Sequence, residues 1–562
     1  MESQCLSLHD VPHTSRLHSA YLDDFSRVSA YYGHPPTLDG LRAAAAQTKL
    51  DPSTRAGVVA ALRAQNQRFG RSETVDPSVE RNLDRLGSGA AAIVTGQQVA
   101  LFAGPAYSIY KAVTAIRTAA ALTNSGVEAV PVFWLASEDH DLAEVDHCMW
   151  SSKEGIKRLA INVEGEVAGK VSAGAAGNLS GTASGRPVGQ IVFDDSITAL
   201  VSAAVEALDG PSASEISGML RDAYRPGETF SSAFGKLVAR LLQGRGLILL
   251  DPQDASLQRL AAPVYRHALR ENAALVHDLS ARNKALEHAG FHAQVRVAER
   301  ATLLFVIRDG RRTPLRATDS GFAAGDSAMT LAQLEGALEN SPEQFSANVL
   351  LRPVVQDSLL PTAGYVAGPA ELAYYAQASV VYQRLLGRMP VILPRAAFTL
   401  VEPRVARLLR KYHLQLRDIL RGRQHLRAIL ERESIPRELT RHFSTGDKNI
   451  HRYLARLRRS ITRLDPTLAG ALSTAERKIV FQLEKLRRKV GRALESRETL
   501  LDAREETLRD ALYPHRGLQE RELCLLPFLA RQGITLLDEL QERALLVGQS
   551  SSANFCHQVL FL

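Results

Sequence analysis

Two short apolar runs, each breaking off into polar residues, bracket a stretch with helical spacing. Their order constrains the fold more than any other feature of the chain. The first is AAAIVTG, ending at Gly96; the second is VPVFWL, ending at Leu135. Runs this short, apolar on both faces, predict buried strands of a parallel sheet. Between them Ile109, Val113, Ile116 and Ala120 repeat at helical spacing behind Pro105. Proline suits the first helical turn, where its missing N–H has no partner to lose. Strand, glycine turn, helix, strand is a βαβ unit. The predicted fold class is therefore α/β.

With 562 residues the chain exceeds one compact core. Residues 1–150 read as a helical lead-in, including TRAGVVAALRAQNQRFG, and the first half of the core. Residues 151–244 loosen into small-residue sequence such as GEVAGKVSAGAAGNLSGTASGRPVG and read as an inserted connecting segment. Residues 245–403 return to strands and helices, with a hairpin signal at Asp309-Gly310. Here SANVLLRPVVQD reads as strand, placing Arg352, Gln356 and Asp357 in or beside it. Residues 404–515 predict an antiparallel coiled-coil arm of two long helices with breaks at STGDKN and RLDPTLAG. Ile479, Leu483, Leu486, Val490 and Ala493 step as an a/d seam. Residues 516–562 form an apolar C-terminal segment expected to pack back on the core.

Charge is uneven. Arg404 to His515 holds 27 Lys+Arg against 14 Asp+Glu, a net of +13, while the whole chain carries +8. A basic arm can bind nucleic acid, but interspersed acids and the lack of a stacking aromatic set favour a solvated helical face. A non-enzymatic nucleic-acid binder would also leave the uncharged polar motifs at the strand ends unexplained. No run approaches the roughly 18 apolar residues of a membrane span, and MESQCLSLHDVPHTSRL lacks the pattern of a secretory signal. The four cysteines, Cys5, Cys148, Cys524 and Cys556, have no spacing that reads as a disulfide framework or zinc knuckle. A reducing cytoplasm is the expected compartment.

Three stretches carry the candidate chemistry. In TGQQVALFAGPAYSIYK, Thr95, Gly96, Gln97 and Gln98 leave a strand end, Gly104 and Pro105 open a helix, and Tyr107 and Lys111 share its face. Glutamines donate and accept without adding charge, and a helix N-terminus attracts anions. In ASEDHDLAEVDH, Glu138, Asp139, His140 and Asp141 follow a buried strand, with Glu144 and His147 behind. Such a burst can hold a divalent metal, act as general base or bind an amine cation. In NVLLRPVVQD…TAGYVAGPAELAYY, Arg352, Gln356 and Asp357 precede a second Gly-Pro helix start at Gly368, followed by Glu371 and Tyr374. Asn348 and Tyr365 belong to the same motif, and Arg395 follows in MPVILPRA. The two Gly-Pro starts read as two walls of one pocket.

Taken in order, VTGQQ…GP.Y..YK, PVFWLASEDHD and NVLLRPVVQD…YVAGPAELAYY…MPVILPR resemble the cysteine-adding enzyme family of bacillithiol biosynthesis. The resemblance spans nearly the whole chain, including the arm and the LQER tail. It implies a Rossmann-like core of nucleotide-binding type with inserted connecting segments, and a helical arm that mediates homodimerisation. It also implies addition of cysteine to the glucosamine amine of glucosaminyl-malate. Amide formation from a free carboxylate is uphill, so ATP is expected as the activating group, with Mg2+ left open. Under that reading Lys111, Arg352 or Arg395 neutralises phosphate or carboxylate, and the acidic burst holds the amine or takes its proton. The partners implied are small molecules, with no membrane and no nucleic acid. The HIGH and KMSKS motifs of synthetase-type ligases are absent. The alternative reading is a metal-dependent transferase or nucleotidyltransferase using Glu138–Asp141.

Overall fold

The computed structural model describes residues 2–12, 14–70, 75–163, 176–179, 185–434, 437–494, 498–544 and 555–562. Contacts divide it into two units. One holds Ser7–Phe398 and Glu520–His557; the other holds Met1–Leu6, Thr399–Gln519 and Gln558–Leu562.

The larger unit is built on five parallel strands. β1 is Ala91–Gln97, followed by helix α1, Tyr107–Asn124, and β2, Ala129–Leu135. β3 is Ile248–Leu250, followed by α2, Ala255–Arg270. An inserted hairpin pairs β4, Ala301–Arg308, with β5, Arg311–Thr318, through Asp309 and Gly310. Both turn residues have positive φ, 50° and 72°, as a tight hairpin turn requires. Helix α3, Arg352–Leu359, leads into β6, Thr362–Ala367, then α4, Pro369–Leu385, and β7, Val391–Pro394. The strand order is β7-β6-β1-β2-β3, parallel throughout. Alternate residues serve two cores. Val94, Val132, Tyr365 and Ile392 pack on one face, and Ile93, Val366, Val391 and Leu393 on the other with Ala115, Ala119 and Leu122 of α1. That covering of both faces is why the runs are apolar at every position. Ala119, not Ala120, completes the buried stripe of α1.

The sheet runs from β1 outward to β3 in one direction and from β6 to β7 in the other. The reversal lies between β1 and β6, where doubly wound folds open a crevice. The architecture is the expected α/β core.

Three sequence expectations change. Arg352–Leu359 is a helix, not a strand. Asn348 Oδ1 accepts from the Leu350 and Leu351 amides at 3.0 Å each, and Pro353 occupies the first turn, so helix-start signals override the apolar run. Residues 196–241 of the inserted segment are mostly helical, Ser196–Glu206, Ala213–Ala223 and Phe230–Leu241, with Leu200, Phe234 and Leu237 fully buried. Much of the small-residue stretch, 164–175 and 180–184, lies outside the described residues. Among the cysteines, Cys5 and Cys556 are disulfide-bonded, against the reading from spacing, while Cys148 and Cys524 are buried free thiols.

The C-terminal stretch of the larger unit inserts into it. Leu523 accepts from the Ala106 amide at 2.8 Å, and the Cys524 amide donates to Met149 at 2.9 Å. Leu525, Leu526 and Leu529 are buried.

In the smaller unit, Glu2–Leu6, His557–Phe561 and Phe398–Val401 form a three-stranded sheet. Its arm is helical. α5, Arg437–Leu464, runs unbroken through STGDKN, because one glycine costs only about 1 kcal/mol in a long helix. The break at RLDPTLAG is real. Asp465 there accepts from the Thr467 amide at 2.8 Å, and α6, Ala469–Leu494, then packs against α5. Ile479 and Leu486 of the predicted seam remain 38% and 50% exposed, and Phe481 beside them 56%. Among the described residues no helix is long and apolar enough to cross a membrane.

Candidate functional site

A cavity of about 530 Å³ lies at the crevice between β1 and β6. Gly96, Gln97 and Gln98 line it from the end of β1, and Tyr107 and Lys111 from α1. Asp139 and Glu144 come from the loop after β2, Arg352 from α3, and Tyr365 from β6. Gly368, Glu371 and Tyr374 come from the start of α4, Arg395 from the end of β7, and Arg521 from the C-terminal stretch.

An ion pair crosses the crevice. Lys111, 2% exposed, reaches Glu371 Oε2 at 2.5 Å and donates to the Gly96 carbonyl at 2.6 Å. Glu371 Oε2 also accepts the Gly368 amide at 2.7 Å, capping α4, and Oε1 accepts from Tyr365 at 2.7 Å. Burial alone would raise the Glu371 carboxyl, but Lys111, Gly368 and Tyr365 outweigh it and hold it below the ordinary range. The Lys111 charge is thus already balanced within the protein.

Arg352 is different. It donates to Tyr374 at 2.8 Å and to Gln356 at 3.4 Å, with its guanidinium 6.0 Å from the Tyr365 ring centre. Among the described residues no carboxylate pairs with it. Arg395 lies 5.3 Å over the Tyr107 ring and pairs with Glu520 at 2.6 Å.

On the opposite side, Gln98 Nε2 donates to Asp139 at 2.8 Å and Glu144 at 2.6 Å, tying the loop after β1 to the loop after β2. Burial pushes the Asp139 carboxyl up, but Gln98 and the His140 amide more than compensate, so it sits below the ordinary value. Gln97 donates to Tyr107 at 3.0 Å and accepts from Lys111 at 3.2 Å.

Other candidates sit elsewhere. Thr95 is buried and bonds the Val366 carbonyl at 2.9 Å, a link across the sheet. Gly104 and Pro105 do not line the cavity. Gly104 has φ 65°, ψ −155°, and a Cβ there would meet Ala100 Cβ at 2.8 Å. The Ala106 amide beside them is bonded to Leu523, so that donor at the start of α1 is not turned to an anion as expected. Asn348 holds the turn before α3. Gln356 and Asp357 are buried between helices, where Asp357 accepts from Gln356 and Tyr382. Of the acidic burst, Glu138 is only 9% exposed, accepts from Gln258 at 2.9 Å, and is pushed up to about 6 by burial. His140 lies 3.3 Å from Arg312 and Asp141 is exposed. Among the described residues no three His, Cys, Asp or Glu side chains are placed to hold a metal, which does not favour the metal-dependent alternative. Arg521 and Arg312 escaped sequence reasoning, since a single arginine in a tail or a hairpin carries no local motif.

The chain that builds this sheet and cavity, and that also carries a helical arm, is similar in sequence to known proteins along its length. Residues 1–396 match the family model described as "Bacillithiol biosynthesis BshC, N-terminal Rossmann-like domain", and residues 398–562 match "Bacillithiol biosynthesis BshC, C-terminal coiled-coil domain". A Koribacter versatilis protein is 40% identical over 545 residues, 97% of this chain and 98% of that one. A Solibacter usitatus protein is 35% identical over 95% of this chain and 96% of its own length. A Bacillus thuringiensis protein is 26% identical over 80% and 82%. Each is named "Putative cysteine ligase BshC". The class is that of ligases built on a Rossmann-like core with a coiled-coil domain. Within it, the chain belongs to the BshC family of bacillithiol biosynthesis.

Proposed function

We propose that this chain joins cysteine to the amine of glucosaminyl-malate, the step that completes bacillithiol. One observation carries the reading: the cavity sets Arg352, which has no ion-pair partner among the described residues, on its β6 side and the carboxylates Asp139 and Glu144 on its β2 side. An acceptor carrying both carboxylates and an amine matches that division. Arg352 binds a malate carboxylate through charge-assisted hydrogen bonds, and Asp139 with Glu144 holds the ammonium. Lys111 and Glu371, satisfied by each other, keep the two halves of the sheet in register.

Forming the amide needs an activated cysteine carboxyl, and ATP is the activator we propose, with Mg2+ accompanying it. ATP supplies the leaving group that makes the step downhill. The residues present fit its phosphate through the side chain of Arg521, which leaves Arg395 beside Arg352 for the two carboxylates of the malate. We also propose that two copies associate through the exposed apolar stripe of α6, and that the protein works in the cytoplasm.

The test has two arms. Cells lacking the chain are expected to accumulate glucosaminyl-malate and lose bacillithiol; unchanged thiol content overturns the pathway assignment. In purified protein, Arg352→Gln is expected to weaken glucosaminyl-malate about tenfold to a hundredfold by calorimetric titration, since a charge-assisted bond is worth about 1.5–3 kcal/mol. Unchanged affinity overturns the role of Arg352.

A further inference from the structure

Arg395 reaches the cavity from the end of β7, yet what holds its guanidinium comes 125 positions later in sequence. Glu520 is 1% exposed. Its Oε1 accepts from Arg395 Nη2 at 2.6 Å, and its Oε2 accepts from the Phe398 amide at 3.0 Å. Arg395 Nη1 donates to the Ala396 carbonyl at 2.9 Å, and the Tyr107 ring lies under the guanidinium. Two of its five N–H groups are thereby fixed inward. The neighbouring residue, Arg521, itself lines the cavity.

A buried carboxylate is costly to desolvate unless it is fully used. Both oxygens of Glu520 are used, one on the side chain that lines the cavity and one on the backbone that follows it. Glutamine cannot replace it, because its amide nitrogen would face one of two donors.

We infer that Glu520 is a positioning residue: it sets the orientation of Arg395 for the anionic part of the substrate, so the C-terminal stretch takes part in ligand recognition as well as packing. The inference rests on the substrate reading above. It is carried by the double use of Glu520 on Arg395 and Phe398, and by the adjacency of Arg521.

The experiment uses the full-length protein and a cycle of Glu520→Gln, Arg395→Gln and the double variant, with Glu520→Asp alongside. Glucosaminyl-malate is titrated calorimetrically into each, and thermal melts are run in parallel. Glu520→Gln is expected to raise Kd about tenfold, and the double variant to bind no worse than Arg395→Gln, because both changes act through one guanidinium. Glu520→Asp, which keeps the charge on a shorter reach, should restore part of the loss. A lowered melting temperature with unchanged Kd overturns the inference, since packing alone would do that. Tighter binding by Glu520→Gln also overturns it, because the carboxylate would then only offset charge. If Glu520→Gln does not fold, Glu520→Asp decides, and wild-type Kd in that variant counts against us. Wild-type protein that binds no glucosaminyl-malate sinks the substrate reading and this inference together; wild-type binding with an indifferent Glu520→Gln sinks the inference alone.

Discussion

Burial pulls the His18 imidazole down to about 4, and Arg395 and Arg521 add repulsion. Its Nδ1 is buried with no hydrogen-bond partner among the described residues. An unfolded chain would titrate this group near 6.5. Between the two values the unfolded state binds more protons, so stability rises with pH across that window. The contribution is complete above about pH 6.5 and drains as pH falls toward 4, by about 3 kcal/mol in all. Wild-type protein is therefore expected to lose melting temperature from pH 6.5 to 4 more steeply than His18→Gln. Parallel curves would show that His18 is not the acid-sensitive group. Glu138 runs the other way. With its carboxyl raised from 4.5 to about 6, its contribution is present below 4.5 and lost as pH climbs through 6. At this scale the sequence was legible in residue type but not in pairing. Gln98, Asp139 and Glu144 stood out as polar groups at strand ends. That Lys111 is paired with Glu371 while Arg352 bonds only Tyr374 and Gln356 depends on which helices meet across the crevice, and no local spacing encodes it.

Gly104 shows how an element constrains a residue. Its φ and ψ lie in a region that is essentially glycine's alone, and a methyl group would strike Ala100. Gly104→Ala is expected to lower the melting temperature by roughly 2–6 °C while leaving the Kd for glucosaminyl-malate unchanged. A raised Kd with an unaltered melt would restore the view of Gly104 as a ligand-approach glycine. The strands of the core were legible because a parallel sheet covered on both faces demands uninterrupted apolar runs. The hairpin at Asp309-Gly310 was legible because its turn needs two positive φ values. Helix α3 was not, because LLRPVV looks like a strand until Asn348 is weighed as a turn residue and Pro353 as part of a first helical turn. The length of helix α5 was not legible for the opposite reason: Gly446 reads as a break, but one glycine does not interrupt a helix of 28 residues.

At the scale of the molecule, the arm leaves Ile479, Phe481 and Leu486 exposed on α6 although their spacing is that of a seam. Light scattering of the full-length chain is expected to give twice 61.3 kDa, and Phe481→Glu with Leu486→Glu to give a monomer whose α5–α6 pair still folds. A monomeric wild type would remove the dimer. The insertion of the C-terminal stretch into the larger unit has a further consequence, for synthesis. A ribosome delivers the cavity in the order Gly96 to Arg521, so the whole parallel sheet emerges while the pocket still lacks its last wall. At roughly 5–20 residues per second, the 125 positions between Arg395 and Glu520 take roughly 6–25 s to make. Through that interval Arg395 has no counter-charge and Ala106 no Leu523 to bond. Until Arg521 and Leu523 are made, the crevice lacks the wall that they supply.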